Sequence, residues 1–369
     1  MRAPWSAALA LSFALFTVSC GSGDRSAAES AGLTSAASHQ STAGRDDAIG
    51  VMTRNLYLGA DLAPVISATT PQQFIAATTA VWLMVKNNDF HSRARALAAE
   101  IAATRPALVG LQEAVTWRTQ SPSDGTATPA TDVAFDYVPE LLAALKARGL
   151  EYRLAAKVEL LDVEAPTAPA LDLDIRLTDH GAILARADVQ VTKSGGVVCT
   201  NLLSFPTVVG TVTLPRGYVS VDATVEGEQL RFVSTHLESF HPGIRTLQAA
   251  ELVQALAGET RPVILAGDLN SRPGTEGEAV LAGAGFEDVW PQIRGNPGLT
   301  CCFLEDLRLT KGAALTERID YVLTRGPFEP RKATVLGSHP NSRVDGLWPS
   351  DHGGVFAEVR VEDDDDDED

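Results

Sequence analysis

The stretch Val263-Ile264-Leu265-Ala266-Gly267-Asp268-Leu269-Asn270 is an apolar run that ends in a carboxylate and an amide two residues apart. The succession of apolar residues before the Gly-Asp pair predicts a buried strand. Successive side chains of a strand point to opposite faces, so Asp268 and Asn270 lie on one side and Leu269 on the other. The stretch therefore predicts two polar groups presented together at the end of a buried strand.

Acidic and imidazole side chains end or interrupt other apolar runs in the same way. They are Glu113 after Val109–Gln112, His236 after Phe232–Thr235, Asp320 within Ile319–Val322, and Asp351 and His352 before Gly353–Val359. Taken singly, each has an ordinary explanation: a surface carboxylate, a hydrogen-bonded core histidine, a turn residue, or an ion pair with a nearby arginine. So many polar groups at strand ends would reduce the stability of the fold unless a cation or a hydrogen-bond network paired them. Their repetition therefore predicts one shared polar site.

Apolar spacing predicts helices and strands along the chain. Helical periodicity covers residues 94–101, 138–145 and 249–256, and each segment precedes an extended apolar run at 107–111, 152–158 or 262–266. Further strands are predicted at 181–186, 218–224, 230–236, 318–323 and 353–359. The Pro- and Asp-containing stretch Leu161–Thr178 predicts a long surface excursion. The pattern favours sheets packed on each other with helices outside.

Composition and charge limit the function classes. The 369 residues are 45% hydrophobic and 21% charged, which is typical of a soluble globular protein. The net charge is −17, and eight of these negative charges lie in Glu362–Asp369, which leaves −9 for the rest. This excludes the basic surface of proteins that bind nucleic acid by bulk charge. An acidic enzyme can still cleave a polyanion if a metal ion supplies local positive charge.

The N-terminus predicts export. Residues 1–19 combine Arg2 with a short apolar run and resemble a signal peptide of the bacterial lipoprotein type, in which Cys20 is lipidated. Thr17 departs from that pattern, which usually has Leu there, and simple secretion is the alternative. Residues 20–47, rich in Ser, Ala and Gly, predict a flexible tether, 48–361 the folded domain and 362–369 a solvated acidic tail. The expected location is the cell envelope, as a lipoprotein, or the exterior.

Three further cysteines leave the disulfide pattern open. An oxidising compartment permits a bridge from Cys199 to either Cys301 or Cys302. A bond between the neighbours Cys301 and Cys302 and buried free thiols are the alternatives. The residues around them show no spacing typical of a metal site.

Six motifs in a fixed order resemble the endonuclease/exonuclease/phosphatase superfamily, which includes deoxyribonucleases, abasic-site endonucleases, sphingomyelinases and inositol polyphosphate 5-phosphatases. The motifs are Arg54-Asn55-Leu56, Gln112-Glu113, Thr235-His236-Leu237, Gly267-Asp268-Leu269-Asn270, Arg318-Ile319-Asp320-Tyr321 and Ser350-Asp351-His352. The resemblance implies an α+β, four-layer αββα sandwich, with two stacked mixed β-sheets flanked by helices. It also implies a site at one rim of the sandwich, a divalent metal, normally Mg²⁺, and phosphoester hydrolysis.

The resemblance implies a metal side of the site. Glu113 is its principal metal ligand, Asn55 lies near the metal and its water, and Asp351 contributes to the metal shell or its ordered waters. Mg²⁺ prefers oxygen ligands and commonly takes one or two carboxylates, with water and substrate completing its coordination.

The resemblance also implies catalytic roles. Asp268 orients or deprotonates the attacking water, Asn270 holds a nonbridging phosphate oxygen, and His236 donates to the phosphoryl group in the transition state. Asp320 and His352 form a carboxylate–imidazole pair in which the carboxylate fixes the tautomer. The general base is either Asp268 or His352, since members of the superfamily differ in this.

Two further residues are expected at the substrate. Arg216 matches the position one strand before the histidine strand where some relatives carry Tyr or Arg, and it is favoured over Tyr218 as a phosphate contact. A surface arginine is the alternative. An additional acidic residue of several relatives falls near Asp179 and His180; His180 is expected to line the site, and a loop histidine is the alternative.

The sequence predicts an exported, Mg²⁺-dependent phosphodiester hydrolase. The substrate prediction favours a nuclease because that activity is widespread in the superfamily. A phospholipase C of the sphingomyelinase type is the first alternative, and a non-catalytic surface binding module on the same fold is the second. The expected partner is a phosphodiester, either nucleic acid or phospholipid, with membrane contact only through the lipid anchor and no protein partner.

Overall fold

Two mixed β-sheets dominate the computed structural model, which describes residues 48–362. The strands are β1 (Ile49–Asn55), β2 (Leu108–Gln112), β3 (Thr116–Gln120), β4 (Asp132–Asp136), β5 (Tyr152–Pro166), β6 (Asp174–Arg186), β7 (Gln190–Val198), β8 (Leu203–Thr207), β9 (Gly210–Leu214), β10 (Gly217–Val225), β11 (Glu228–His236), β12 (Val263–Asp268), β13 (Glu287–Asp288), β14 (Asp320–Arg325), β15 (Phe328–Leu336) and β16 (Gly354–Val361). The helices are α1 (Ala63–Ile66), α2 (Pro71–Asn87), α3 (Phe90–Thr104), α4 (Tyr137–Ala147), α5 (Pro242–Leu256), α6 (Glu276–Gly283) and α7 (Val289–Ile293), with a 3₁₀ turn at Pro340–Ser342. The predicted signal peptide, the tether with Cys20, and the acidic tail beyond Glu362 lie outside the described residues.

The first sheet has the strand order β15-β16-β1-β2-β6-β3-β4, and β5 pairs with the long strand β6. Strands β1 and β2 run parallel, whereas their neighbours pair antiparallel. The second sheet has the order β13-β14-β12-β11-β10-β7, with a parallel pair β11–β12 at its centre. Strands β8 and β9 form a separate hairpin. Each large sheet therefore contains one parallel pair in an otherwise antiparallel arrangement.

Three apolar layers hold the molecule together. Between the sheets, Val51 of β1 and Leu108 of β2 pack with Phe232 of β11 and Ile264 of β12. Helices α2, α3 and α4 cover the outer face of the first sheet, and α5 and α6 cover that of the second. The chain is thus a four-layer αββα sandwich, which confirms the predicted fold class.

Strand β12 shows why the opening stretch decides this fold. Ile264 and Ala266 point into the layer between the sheets, whereas Val263 and Leu265 point towards α5. A strand covered on both faces needs apolar residues at every position, as the sequence provides. The run ends where Asp268 reaches the rim of the sandwich.

Leu161–Thr178 is not the surface excursion that its Pro and Asp content predicted. Most of it belongs to the antiparallel pair β5–β6, joined by a short turn around residues 167–173. Alternate residues such as Leu161 and Val163 pack on the core of the first sheet. The intervening polar residues pair across the strands, as Asp162 does with Arg176.

The cysteines do not form the bridge to Cys199, which was one of the alternatives left open by the sequence. Cys301 and Cys302 are joined to each other. Cys199 is a free, buried thiol at the end of β7. Burial raises its pKa to about 12, so it is an unreactive core residue.

Within residues 48–362, no helix is long and apolar enough to span a bilayer.

Candidate active site

Three strands of the second sheet bring His236, Asp268 and Asp320 into one row. His236 is in register with Asp268 on the parallel pair β11–β12, and Asp268 is in register with Asp320 on β14. Residues in register on neighbouring strands face the same side of a sheet. All three side chains are buried. The chain therefore places an imidazole and two carboxylates side by side at the rim.

The first sheet supplies the opposite side of the site. Asn55 and Gln112 are in register where the parallel strands β1 and β2 end, and Glu113 follows directly. The Asn55 side-chain amide donates to Glu113 Oε1 at 3.1 Å and to Asp268 Oδ2 at 3.1 Å. Glu113 Oε2 accepts a hydrogen bond from the backbone N–H of Leu58 at 2.7 Å. Asn55 thereby links the two sheets at the rim.

Glu113 has a backbone φ of +52°, in the left-handed region that residues other than glycine seldom adopt. Such conformations persist where the surrounding structure fixes them, and they are concentrated at functional sites. This backbone turns the half-buried Glu113 carboxylate into a cleft of about 380 Å³ at the rim.

His352 lies between two carboxylates. Its Nδ1 is 2.9 Å from Asp320 Oδ2, and its Nε2 is 3.8 Å from Asp268 Oδ2. Burial acts to lower the pKa of His352, but the carboxylates of Asp320, Asp351 and Asp268 together raise it well above its usual value. The structure therefore favours the charged imidazolium at neutral pH.

Asp268 occupies the centre of the network. Burial and the neighbouring Asp320 carboxylate raise its pKa, which His352, the backbone N–H of Asn270 and the amide of Asn55 partly oppose. Asn270 N donates to Asp268 Oδ1 at 2.9 Å, and the Asn270 side-chain amide donates to the carbonyl of Leu237 at 3.0 Å. A carboxylate with a raised pKa binds a proton more readily than an exposed one.

Arg216 fixes the tautomer of His236. Its Nη1 lies 3.1 Å from His236 Nδ1, and a guanidinium can only donate, so Nδ1 accepts. Burial and the positive charges of Arg216 and His352 hold the pKa of His236 well below its usual value. The ring is therefore neutral with its proton on Nε2, which lies 3.6 Å from Asp268 Oδ2. This nitrogen can donate a hydrogen bond into the site.

The model of the endonuclease/exonuclease/phosphatase family matches residues 81–352. The chain belongs to the endonuclease/exonuclease/phosphatase family. This confirms the resemblance carried by the six motifs. No curated protein sequence matches the chain.

Solved structures show the same fold. A humanized TDP2 of D. rerio with 14 mutations is 21% identical, with a TM-score of 0.50, over 85% of this chain and 99% of that one. An endonuclease/exonuclease/phosphatase from Bacteroides vulgatus is 15% identical, with a TM-score of 0.54, over 85% and 99%. A mannosyl-6-phosphatase from Bacteroides thetaiotaomicron VPI-5482 is 16% identical, with a TM-score of 0.51, over 85% and 99%. At these identities the likeness concerns the fold.

Members of the endonuclease/exonuclease/phosphatase family are metal-dependent phosphoesterases, and the residues of this chain fit a divalent cation. Glu113 and Asp351 both line the cleft. Burial, with the negative charge of Glu113 beside it, raises the pKa of Asp351 to about 6, although His352 opposes the shift. Two carboxylates that repel each other in an open cleft form an oxygen donor set suited to a hard cation.

A second group of potential ligand atoms comprises Asp268, Asp320 and His352, which lie within 4.8 Å of one another. The hydrogen bond between His352 Nδ1 and Asp320 Oδ2 already occupies one potential ligand atom of each residue. Asp320 Oδ1 nevertheless has no hydrogen-bond partner among the described residues. The more open pair, Glu113 and Asp351, is the better site for a hydrated ion, because Mg²⁺ retains several waters.

The structure places the sequence-predicted residues with one clear exception. Eight of the predicted residues converge at the rim, as the contacts and the cleft lining described above show: Asn55, Glu113, His236, Asp268, Asn270, Asp320, Asp351 and His352. Arg216 is not a surface arginine, since its side chain is 13% exposed and lines the cleft. His180 does not line the cleft, because its Nδ1 contacts the carbonyl of Ala114 at 3.1 Å on the other face of β6.

Asp179 occupies the place at the cleft that His180 was expected to take. It is buried, its Oδ1 has no hydrogen-bond partner among the described residues, and burial raises its pKa to about 7 against the opposing charge of Arg216. Strand periodicity could have identified it: Leu177 and Asp179 share one face of β6, and His180 lies on the other.

Proposed function

We propose that this chain is a divalent-metal-dependent phosphodiester hydrolase. One observation supports this above all: carboxylate, amide and imidazole groups from both sheets meet at a single rim, where the Asn55 amide contacts Glu113 and Asp268 together. A scattered set would fit a stability role. A convergent set next to an open cleft is the arrangement needed to hold a phosphoryl group beside an activated water.

Glu113 and Asp351 would hold the metal ion, for which Mg²⁺ is our proposal. A bound divalent ion neutralises the negative charge that develops on the phosphoryl oxygens. Leu58 N orients the Glu113 carboxylate, and Ser350 Oγ orients that of Asp351 at 3.2 Å.

Asp268 is the proposed acceptor of the proton from the attacking water. His352 is less suited to that role, because both ring nitrogens face carboxylates and the charged ring has no free base nitrogen. Asp320 instead holds His352 as a cationic partner for Asp268. His236 Nε2–H, set by Arg216, would donate to a phosphoryl oxygen as charge develops there.

An assay has to decide which class of phosphodiester the protein hydrolyses. Among the described residues that line the cleft, Arg216 is the only lysine or arginine, and Asp61, Glu305 and Asp179 are acidic. A polynucleotide held along its backbone requires several basic contacts. The preference for a nuclease therefore stays a prediction from the family, with the lipid phosphodiesterase as its alternative. The complete catalytic set is difficult to reconcile with a non-catalytic binding module.

We also propose that the chain is exported and carries a lipid on Cys20. The support is the sequence of residues 1–20 alone. Labelling of expressing cells with a radioactive fatty acid should mark the wild-type protein, whereas a Cys20→Ala variant should carry no label. Label on Cys20→Ala, or an unlabelled wild type, would contradict lipidation.

The activity test uses the full chain with plasmid DNA, sphingomyelin, a chromogenic phosphodiester and the matching monoester, each with Mg²⁺ or with EDTA. We expect diester hydrolysis that EDTA abolishes. Glu113→Gln should weaken the apparent affinity for Mg²⁺ by more than about 10-fold. His352→Ala, which removes the cationic partner of Asp268, should lower kcat by about 10²–10³-fold. Glu151→Gln, an exposed glutamate outside the cleft, is the matched control.

The results of these assays distinguish a nuclease, a lipid phosphodiesterase and a non-catalytic binding module. Mg²⁺-dependent nicking of plasmid DNA would select a nuclease, and phosphocholine release a lipid phosphodiesterase. Wild-type rates in His352→Ala would contradict the role of the Asp320–His352 pair. A folded protein that turns over none of the four substrates would contradict the proposed function and favour the binding module.

A further inference from the structure

A second cavity, apolar in character, opens beside the catalytic cleft. It has a volume of about 190 Å³, half of that of the cleft. Its floor is one face of β5 and β6, formed by Leu161, Val163, Ala165, Ile175 and Leu177. Their two-residue spacing places these side chains on the same side of the paired strands.

The apolar cavity and the cleft adjoin each other. Five residues line both of them: Leu62, Ile66, Leu161, Leu177 and Leu214. Glu113 and Asp351 belong to the same cleft. A molecule with a phosphate at Glu113 would therefore have the apolar cavity beside it.

The hairpin β8–β9 forms one wall of the apolar cavity. Val209 at its turn is 61% exposed, and Val212 and Leu214 line the wall below it. At the cleft mouth, Phe240 is 52% exposed and meets Phe205 of β8 edge-on, with ring centroids 5.9 Å apart. Apolar side chains thus continue from the cavity to the entrance of the cleft.

Polar groups on the cavity wall are engaged elsewhere. The Thr78 hydroxyl donates to the carbonyl of Phe74 at 2.9 Å. The Glu164 carboxylate accepts hydrogen bonds from the backbone N–H of Ala130 at 3.1 Å. An enclosed cavity of about 150 Å³ lined by Leu, Ile and Phe stays dry and binds a molecule the size of benzene. The walls of this cavity therefore favour an aliphatic or aromatic group over water.

We propose that the apolar cavity binds an alkyl or aryl group esterified to the phosphate that the cleft hydrolyses. This inference rests on the proposed function and narrows its substrate class to phosphodiesters with an apolar substituent. The shared lining favours this occupant, because one molecule with an apolar group and a phosphate can fill the cavity and the cleft together. The scarcity of basic residues at the cleft agrees with a substrate that carries little charge beyond its single phosphate.

The first test measures binding, so that it does not depend on turnover. Methyl, butyl and hexyl phosphate are titrated into the full chain at a fixed Mg²⁺ concentration by calorimetry. The dissociation constant should fall by about two- to fourfold for each added methylene until the cavity is filled. The ratio of the methyl to the hexyl dissociation constant is the readout.

Two variants alter the cavity and one serves as control. Ala165→Phe fills the cavity from its floor, and Val209→Asp places a charge on its wall at an exposed turn where the fold tolerates substitution. Each should reduce the ratio to near one. Val197→Asp changes a valine of β7 that is 45% exposed and lines neither the cavity nor the cleft, and it should keep the wild-type ratio. If Ala165→Phe fails to fold, Val209→Asp decides.

The second test separates this inference from the proposed function. Rates are measured with methyl and hexyl 4-nitrophenyl phosphate and with plasmid DNA. Mg²⁺-dependent hydrolysis with a higher kcat/KM for the hexyl diester supports both. Hydrolysis with no effect of chain length, or a preference for plasmid DNA, would overturn the cavity as a substrate site and leave the proposed function standing. Chain-length-dependent binding without hydrolysis of any diester would overturn the proposed function alone.

Discussion

Arg216 determines which nitrogen of His236 carries the proton. The guanidinium donates to Nδ1 and also to Ser239 Oγ at 3.3 Å, so its plane is held at two points. A lysine would retain the charge but lose this planar double contact. Without it, the neutral His236 ring can place its proton on Nδ1, where it points away from the phosphoryl group.

Arg216→Lys is therefore expected to lower kcat by about 10–100-fold while the protein stays folded. The same change should increase the Nδ1-protonated form of His236, which nitrogen NMR of the imidazole ring measures directly. Arg331→Lys, a substitution at an exposed ion pair with Glu329, is the control and should alter neither value. An unchanged tautomer in Arg216→Lys would contradict the positioning role of the guanidinium.

At the scale of secondary-structure elements, a charged network joins β10, β11 and the turn before β12. Asp222 of β10 pairs with Arg231 of β11 at 2.7 Å and with Arg261 of the turn at 2.7 Å. Glu259 of the turn pairs with both arginines. Hydrogen bonds from Arg261 lower the pKa of Glu259 to about 2, from an ordinary value of 4.5. The network thus stabilises the ionised carboxylate in the folded state.

Because the pKa of Glu259 is lowered, the stabilisation that Glu259 provides depends on pH in a definite direction. Because the folded protein depresses the pKa of Glu259, its contribution to stability is present above pH 4.5 and is lost as the pH falls towards 2. Glu259→Gln should lower the free energy of unfolding by roughly 2 kcal/mol at pH 7. The difference from wild type should shrink at pH 3, as measured by urea unfolding at each pH. Glu287→Gln, exposed on β13, should show no such change.

Elements whose signal is local could be predicted from the sequence. The apolar run that ends in Asp268 predicted strand β12, and the periodicity of residues 94–101 predicted helix α3, because side-chain spacing alone decides both. The β5–β6 hairpin was missed because its Asp and Pro residues resemble a loop. Its stability comes from contacts across the strands, such as Arg176 with Asp162, that become visible only once the pairing is known.

The candidate site was predictable in its residue types but not in its pairings. Glu113, Asp268 and His352 stand out because a polar group at the end of an apolar run is unusual. The buried pair of Arg54 and Glu100 was not foreseen, since 46 residues separate its members and only the packing of α3 on β1 brings them together. Arg54 also donates to the carbonyl of His352, so this pair supports the backbone of the site.

For the molecule as a whole, the geometry of the site depends on how closely the two sheets approach each other beside it. A Cβ atom on Gly110 of β2 would lie 2.6 Å from Ser234 Oγ of β11, closer than non-bonded atoms allow. Around it, Thr53 donates to Gln112 at 3.1 Å and Gln112 donates to Ser234 Oγ at 3.0 Å. This polar bridge inside an apolar layer fixes the spacing of the sheets.

Glu113 lies three residues after Gly110, and His236 lies two residues after Ser234, so the sheet spacing sets the distance between the halves of the site. Gly110→Ala should force the sheets apart, lower the free energy of unfolding by about 1–3 kcal/mol and reduce kcat by up to about 10²-fold. Thermal unfolding and diesterase rates measure the two effects. Gly195→Ala, in β7 with nothing within 4 Å of the added methyl group, is the matched control.

The double variant Gly110→Ala/Ser234→Gly tests whether the contact itself is responsible. Removing the serine side chain clears the space for the new methyl group but also removes the acceptor for Gln112. If sheet spacing controls the site, the double variant should be more active than Gly110→Ala. The loss in the double variant should then be smaller than the sum of the losses in the two single variants. Additive losses in both stability and kcat would instead mean that each residue acts within its own sheet, and that the rim tolerates a change in their separation.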